Sequence, residues 1–251
     1  LLYWRVVFVR KIFIILMLSV FSIVTAHPFK SEKELYEYYA EIDKKIFAEK
    51  NKPIIRKKYP RKLTDKELEQ EQIPFSLKRY TVDEIVGNNK LVYNAFNYQL
   101  MSISQINENN KEEGVIRTFD EDENLISIAY IENSKGVMGI YREYYPWGVL
   151  KNETPCYTSE INGKLKNYYP DGLLKEEYTY YNNKKEGLAT MYYESGQKFA
   201  IENYKNDLKN GDYYMYYENG TLGMKAFFVN GKREGTIEFY EEDGKKIEKN
   251  K

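Results

Sequence analysis

One cysteine and one histidine stand among 251 residues, and that shortage removes whole classes of chemistry. A lone thiol admits no intrachain disulfide. One imidazole and one thiol furnish too few nitrogen and sulfur ligands for a zinc site. The histidine, His27, directly follows the segment read below as a leader. A new chain end does not hold an imidazole beside a nucleophile, so neither a Ser-His-Asp nor a Cys-His arrangement is expected. No glycine-rich loop runs into Gly-Lys-Ser or Gly-Lys-Thr. The nearest string, Gly220-Thr221-Leu222-Gly223, lies inside a repeated unit, so the parts of a phosphoryl-transfer site are missing. Long apolar runs are lacking too: Ile12 to Val24 spans thirteen residues, where a membrane span takes about 20. Charge is balanced, with 38 basic and 38 acidic residues interspersed, and this is not the footprint of a nucleic-acid binder. No cofactor is expected.

Glycine and tyrosine are present in strict order. Gly148, Gly172, Gly196, Gly220 and Gly244 fall 24 residues apart, and Gly139, Gly163, Gly187, Gly211 and Gly235 keep the same period. A unit this short cannot bury a core alone and must stack on its neighbours. On that period Tyr144, Tyr168, Tyr192, Tyr216 and Tyr240 form one column, and Tyr145, Tyr169, Tyr193 and Tyr217 the next. The glycines divide each unit into two runs of strand length, and their Tyr, Phe, Ile, Val and Thr content favours pleated backbone. Asp171-Gly172, Ser195-Gly196, Asn219-Gly220 and Asp243-Gly244 suit turns that need a positive φ. Each copy therefore reads as one hairpin. Asn-rich stretches such as 182–187 and 230–235 read as a longer link to the next copy.

Alternation separates two faces. One carries Arg142, Lys166, Thr190 and Glu238 and then the Tyr144 series. The other carries Tyr141, Leu165, Ala189, Tyr213 and Ile237, then Met191, Met215 and Phe239, then the Tyr145 series. Cys156 takes a place that other copies give to Tyr180, Tyr204 and Phe228, so it reads as core filler. The tyrosines are expected to pack ring against ring with water at their hydroxyls.

The string Tyr-Tyr-x-x-Gly-x-Leu followed by Tyr-x-Asn-x-Lys-x-Glu-Gly resembles the MORN repeat, specifically the bacterial MORN-variant repeats, some of which carry the label of toxin-antitoxin antitoxin proteins. The match in register covers Gly139 to Lys251. Weaker copies precede it: Gly114 to Gly136 is a shortened unit with Phe119 near the tyrosine column, and Leu91 to Glu113 is another. The resemblance implies a ribbon of successive antiparallel hairpins, in agreement with the period and turns. The fold class expected is mainly β, an elongated single-layer antiparallel sheet of tandem 24-residue hairpins, preceded by a short α-helical region. At about 10 Å per copy, six copies give a ribbon on the order of 60 Å. MORN repeats also occur fused to phosphatidylinositol phosphate kinases, but no length is left here for a kinase domain.

The domain reading is 1–26 as a signal peptide, 27–90 as a helical region and linker, 91–138 as degenerate copies and 139–251 as regular ones. Arg5, Arg10 and Lys11 precede the apolar run, and Val24-Thr25-Ala26 offers a cleavage site. An uncleaved membrane anchor over residues 6–24 is the alternative. Removing the leader takes three bases and no acids, leaving 35 against 38 and a net charge near −3. From Ser31 to Lys50, Leu35, Tyr38, Tyr39, Ile42, Ile46 and Phe47 recur at helical spacing. Thr64 and Glu67 make a capping box for a short helix ending near Pro74. The helical region is expected to cover the open edge of the first hairpin or to serve as a stalk.

Carboxylates such as Glu176, Glu177, Glu186, Glu194, Glu202 and Glu234 recur on polar positions, where Lys175, Lys185 and Lys209 suit weak surface pairs better than a hydrolytic dyad does. The expected function is non-enzymatic: an exported binding or scaffold module in the periplasm, cell envelope or extracellular space. Its partner is a protein or an envelope component, with no nucleic acid. Membrane association would run through an uncleaved leader. An antitoxin or immunity-type protein is the alternative that the resemblance implies. The candidate binding surface is Tyr144, Tyr168, Tyr192 and Tyr216 with Tyr145, Tyr169, Tyr193 and Tyr217. Gly148, Gly172, Gly196, Gly220 and Gly244 are structural turns.

Overall fold

Two kinds of turn alternate along the chain, and their residues dictate both. At the first glycine column Gly148, Gly172, Gly196, Gly220 and Gly244 all have φ between +84° and +93°. In each, the glycine N–H returns to the residue three back, a tyrosine in the first four and Glu241 in the last, as from Gly172 to the Tyr169 carbonyl at 2.9 Å, while the Tyr169 N–H closes on the Leu173 carbonyl at 2.8 Å. These are three-residue loops that need left-handed backbone at the glycine alone. The preceding Asp or Asn has another task, since Asp171 Oδ1 accepts the Leu173 N–H at 3.0 Å. An added Cβ at Gly196 would meet nothing within 4 Å. Gly196→Ala is therefore expected to cost about 1–2 kcal/mol from backbone strain alone, seen as a lower urea midpoint at unchanged m.

The structure, a computed structural model, describes residues 28–55, 66, 81–95, 97–132 and 135–248. The signal segment, His27 and the helix expected from Thr64 to Pro74, apart from a helical Lys66, lie outside the described residues. Two compact units divide the chain, Leu1–Tyr38 and Tyr39–Lys251, and α1 (Glu32–Lys50) spans the division. In the first unit Ser31 caps α1, its Oγ accepting the Glu34 N–H at 3.2 Å. Phe29 and Tyr38 lie with ring centroids 5.3 Å apart.

In the second unit the link between copies is as tight as the hairpin turn, contrary to the longer connection read from the sequence. Asn182 and Asn183 both have positive φ, 46° and 65°, and join Tyr181 directly to Lys184. Asn206-Asp207, Asn230-Gly231 and Thr158-Ser159 do the same. Two-residue turns with both φ positive match the strand twist, and Asn tolerates them best. The turns are tied back to the preceding copy. Asn183 Oδ1 accepts the Ile161 N–H at 2.7 Å, Asp207 Oδ1 the Lys185 N–H at 2.8 Å, and Ser159 Oγ the Val137 N–H at 2.9 Å.

Tight turns at both ends produce one open antiparallel meander. It starts at β1 (Thr81–Val86), β2 (Asn89–Asn94), β3 (Leu100–Ile106), β4 (Glu112–Phe119) and β5 (Leu125–Ile131), ahead of the Leu91 at which the sequence reading begins the repeats. The regular copies supply β6 (Val137–Tyr144), β7 (Leu150–Tyr157), the two-residue β8 (Glu160–Ile161), β9 (Gly163–Tyr168), β10 (Leu174–Tyr181), β11 (Lys184–Tyr192) and β12 (Lys198–Lys205). They end with the two-residue β13 (Leu208–Lys209), β14 (Gly211–Tyr216), β15 (Leu222–Val229) and β16 (Lys232–Phe239). The second glycine column marks bulges: between Tyr178 and Tyr180 the partner strand advances from Ala189 to Lys185, and Gly187 there has φ +86°. Cys156, Tyr180, Tyr204 and Phe228 pair with Gly139, Gly163, Gly187 and Gly211, so each large side chain of that column stands opposite a glycine.

Register confirms the division of faces. Arg142 pairs with Glu153, which pairs with Lys166, and the row continues through Glu177, Thr190, Ile201, Tyr214 and Lys225 to Glu238. Directly opposed residues share a face. On this face Tyr39, Ile42 and Ile46 of α1 are buried. Ile42 Cγ2 lies 2.6 Å from where a Cβ on Gly139 would stand, and Tyr39 donates to the Asn162 carbonyl at 2.9 Å. Ile54, beyond α1, packs on Leu91, Tyr93, Leu100, Ile103 and Phe119. Residues 39–50 of α1 thus cover a face of the sheet.

Candidate interaction surface

The Tyr144 column runs further than the sequence period indicated. Tyr93 pairs with Leu100, Phe119 with Leu125, Tyr144 with Leu150, Tyr168 with Leu174, Tyr192 with Lys198 and Tyr216 with Leu222. Its first three members are 0%, 9% and 7% exposed. Tyr144 lies beneath α1, with Lys50 Nζ 4.2 Å from its ring centroid, so it belongs to the core instead of the candidate surface. Tyr168, Tyr192 and Tyr216 are half-buried. The Tyr168 hydroxyl donates to Glu153 Oε2 at 2.8 Å. Among the described residues the hydroxyls of Tyr192 and Tyr216 have no protein partner.

The Tyr145 column does something else. Tyr145, Tyr169, Tyr193 and Tyr217 donate to the carbonyls of Tyr168, Tyr192, Tyr216 and Tyr240 at 3.0, 2.8, 2.8 and 2.8 Å. Each hydroxyl ties one copy to the next, where water was expected. Ring contacts also fall outside the two columns: Tyr145 stacks on Trp147 at 4.9 Å, and Tyr193 meets Phe199 at 5.1 Å.

The row of Arg142 changes character along the sheet. Arg142, its side chain 7% exposed, is held bidentately by Asp43 at 2.8 Å and by Glu153 at 3.0 Å. Its neighbour Arg117 donates to the Lys52 carbonyl at 2.7 Å. Beyond β10 the same face presents Leu188, Leu208, Phe227 and Val229, which alternation in β11, β12, β13 and β15 places with Thr190, Ile201 and Lys225. Leu188 is 51% and Phe227 45% exposed. A run of apolar side chains on a single sheet face, flanked by half-buried rings, is the form an interaction patch takes.

The opposite face carries the apolar columns of Ala189, Met191 and Met215 and, beside them, a hydrogen-bonded polar cluster. Glu202, 6% exposed, accepts from Lys209 Nζ at 2.6 Å and from the Tyr204 hydroxyl. Lys185 Nζ lies 3.8 Å from the Tyr178 ring centroid. Burial, with Glu176 beside Tyr178 and a hydrogen bond to Glu202 at Tyr204, pushes both phenols above their usual range, so they remain donors. Sequence reasoning missed this cluster because Glu202 breaks its own column, where Tyr178 and Ala226 stand in neighbouring copies. Lys185 and Lys209 pair with rings and a buried acid, more than with surface carboxylates.

Cys156 is fully buried, and burial pushes its thiol up to about 12. Native protein is therefore expected to resist a thiol reagent at pH 8 and to label at the rate of a free thiol only after unfolding in urea. Rapid labelling of the folded chain would refute that environment. Among the described residues no group of three or more His, Cys, Asp or Glu is placed to hold a metal, and no helix is long and apolar enough to cross a membrane.

Comparison with known proteins bears on the repeat. The model of the MORN repeat variant matches three tandem segments, 161–183, 185–206 and 209–230. No curated protein sequence matches the chain. Among solved structures, a TarM point mutant from S. aureus in complex with Fondaparinux, alpha-GlcNAc-glycerol and UDP is 11% identical, with 79% of this chain and 27% of that chain covered and a TM-score of 0.24. A second TarM structure gives 11%, 79%, 26% and 0.20. The chain spans about a quarter of the length of these proteins, and neither likeness bears on function. The three matched segments, the hairpin meander and the two glycine columns agree, and residues 161–230 of the chain carry MORN-variant repeats.

Proposed function

We propose that this protein is a non-enzymatic binding or scaffold module that engages its partner through the uncovered half of the face on which α1 lies. One observation carries the reading: a single column of rings is buried at Tyr93, Phe119 and Tyr144 and half-buried with free hydroxyls at Tyr192 and Tyr216. Rings of this kind offer apolar area at little entropic cost and a hydroxyl for a directed bond. The reading includes export to the cell envelope, supported by Arg5, Arg10, Lys11 and the apolar run that follows them.

The test is a photoreactive phenylalanine analogue at Tyr216 in the full chain, expressed in its own cells, with a second probe at Tyr213 on the other face. A discrete adduct is expected from position 216 only, lost when Tyr192→Ser and Leu188→Glu are added without a change in melting temperature. Equal adducts from both faces, or binding that survives those changes, would sink the surface. Turnover by the purified chain that a point change abolishes would sink the non-enzymatic part.

A further inference from the structure

The sheet already carries one ligand of its own, and that ligand is a helix. Residues 39–50 of α1 cross the strands, from Asn162 after β8 through Gly139 and Arg142 on β6 to Tyr130 on β5. Three features of the repeat seat them. The bulge glycine leaves a hollow that a β-branched side chain fills, as Ile42 fills the space above Gly139. The ring of the Tyr144 column takes a lysine, as Tyr144 takes Lys50. The central row holds an anchoring side chain, as Arg142 holds Asp43.

The later copies repeat the first two features and leave the rings and two of the hollows open. Above Gly187 and above Gly235 an added Cβ would meet nothing within 4 Å, whereas at Gly211 between them the position is filled by Asn203, whose Cβ stands 3.2 Å away. The half-buried rings of Tyr192 and Tyr216 stand where Tyr144 stands. The third feature changes: Arg142 is replaced by Thr190 and Tyr214, so the central row is neutral at Thr190, Ile201 and Tyr214 before it ends in Lys225 and Glu238, and exposed Leu188 and Phe227 flank it. From β11 to β16, with the short β13 off the path, the strands span about 20 Å at ordinary spacing, which about 13 residues of helix match.

We propose that this stretch binds an amphipathic α-helix of a partner protein, seated across β11 to β16 as α1 is seated on the preceding copies. Its aliphatic stripe lies over Gly187, Leu188 and Phe227, and its lysines lie toward Tyr192 and Tyr216. The proposal rests on the binding reading above and names the partner's form. The proposed surface lies on the same sheet face as the α1 interface, and the neutral stretch at Thr190, Ile201 and Tyr214 selects a helix whose stripe lacks the acid that Arg142 requires.

The probe is a hydrocarbon-stapled peptide of residues 39–52 with Asp43→Leu, added to the full chain. A control peptide of the same sequence carries two prolines in place of the staple. Anisotropy should show the helical peptide binding at least tenfold more tightly than the proline form. Hydrogen exchange should slow in 187–239, and Leu188→Glu with Phe227→Glu should weaken binding at least tenfold at unchanged melting temperature. Equal binding of the two peptides, no binding of either, or protection confined to 117–162 through displacement of α1 would overturn the helix. The cellular crosslink from position 216 reports on the surface itself, so the surface can stand while the helix falls.

Discussion

Arg142→Leu is expected to destabilise the protein by about 3–5 kcal/mol, the cost of leaving buried charges without their partner. Asp43 and Glu153 keep only 19% and 18% of their side chains exposed and both face this guanidinium. Leucine would fill part of the volume and leave two carboxylates facing each other in a partly dry layer. The Phe47 ring, 5.2 Å from the guanidinium carbon, loses a cation contact as well. The largest effect should fall on the attachment of residues 39–50, read as a loss of helical circular dichroism at urea concentrations where the sheet signal persists. Adding Asp43→Asn and Glu153→Gln should recover part of the loss, because neutral amides remove the repulsion that leucine exposes. If Arg142→Leu falls within 1 kcal/mol of the unaltered chain, or if the triple variant is no better than the single one, the buried ion network does not hold the helix down.

The period of 24 placed the hairpin turns and both faces correctly from Gly139 onward, because in those copies a glycine is the physical requirement at the left-handed position of each hairpin loop. It weakened before Gly139 for an equally physical reason. At the turn between β4 and β5, Glu123 takes φ +63° where later copies place glycine. Asp120 holds that turn closed, its Oδ1 accepting the N–H groups of Asp122 at 3.0 Å and Asn124 at 2.8 Å. Side-chain bonds thus do in one copy what a missing Cβ does in the others, and a search for glycine passes over them.

Helical spacing in 31–50 was equally plain, but its seat was not. Arg142 and Asp43 lie 99 positions apart, and Arg142 reads on its own as one more polar residue in a row with Lys166 and Thr190. The hollow at Gly139 appears only once the bulge is formed. The candidate surface was half legible for the same reason: its columns follow from alternation, whereas which rings are covered depends on where the helix ends.

Changing Tyr145, Tyr169, Tyr193 and Tyr217 together to phenylalanine is expected to cost about 2–6 kcal/mol, at roughly 0.5–1.5 kcal/mol for each hydroxyl-to-carbonyl bond removed. The four bonds sit in successive copies and share no partner, so their losses should add. Each spans the joint between one copy and the next, and in a linear array that joint carries the cooperativity. Unfolding should therefore become less cooperative as well as earlier, with a smaller m in urea and exchange that quickens first in 211–240. The matching control is Tyr192→Phe with Tyr216→Phe, whose hydroxyls bond nothing among the described residues, and it should stay within about 0.5 kcal/mol. That contrast separates two columns of the same residue type, one fastening copies together and one free to meet a partner. A fourfold variant as stable and as cooperative as the original chain, or a control that falls as far, would show that the hydroxyl bonds do not couple the repeats.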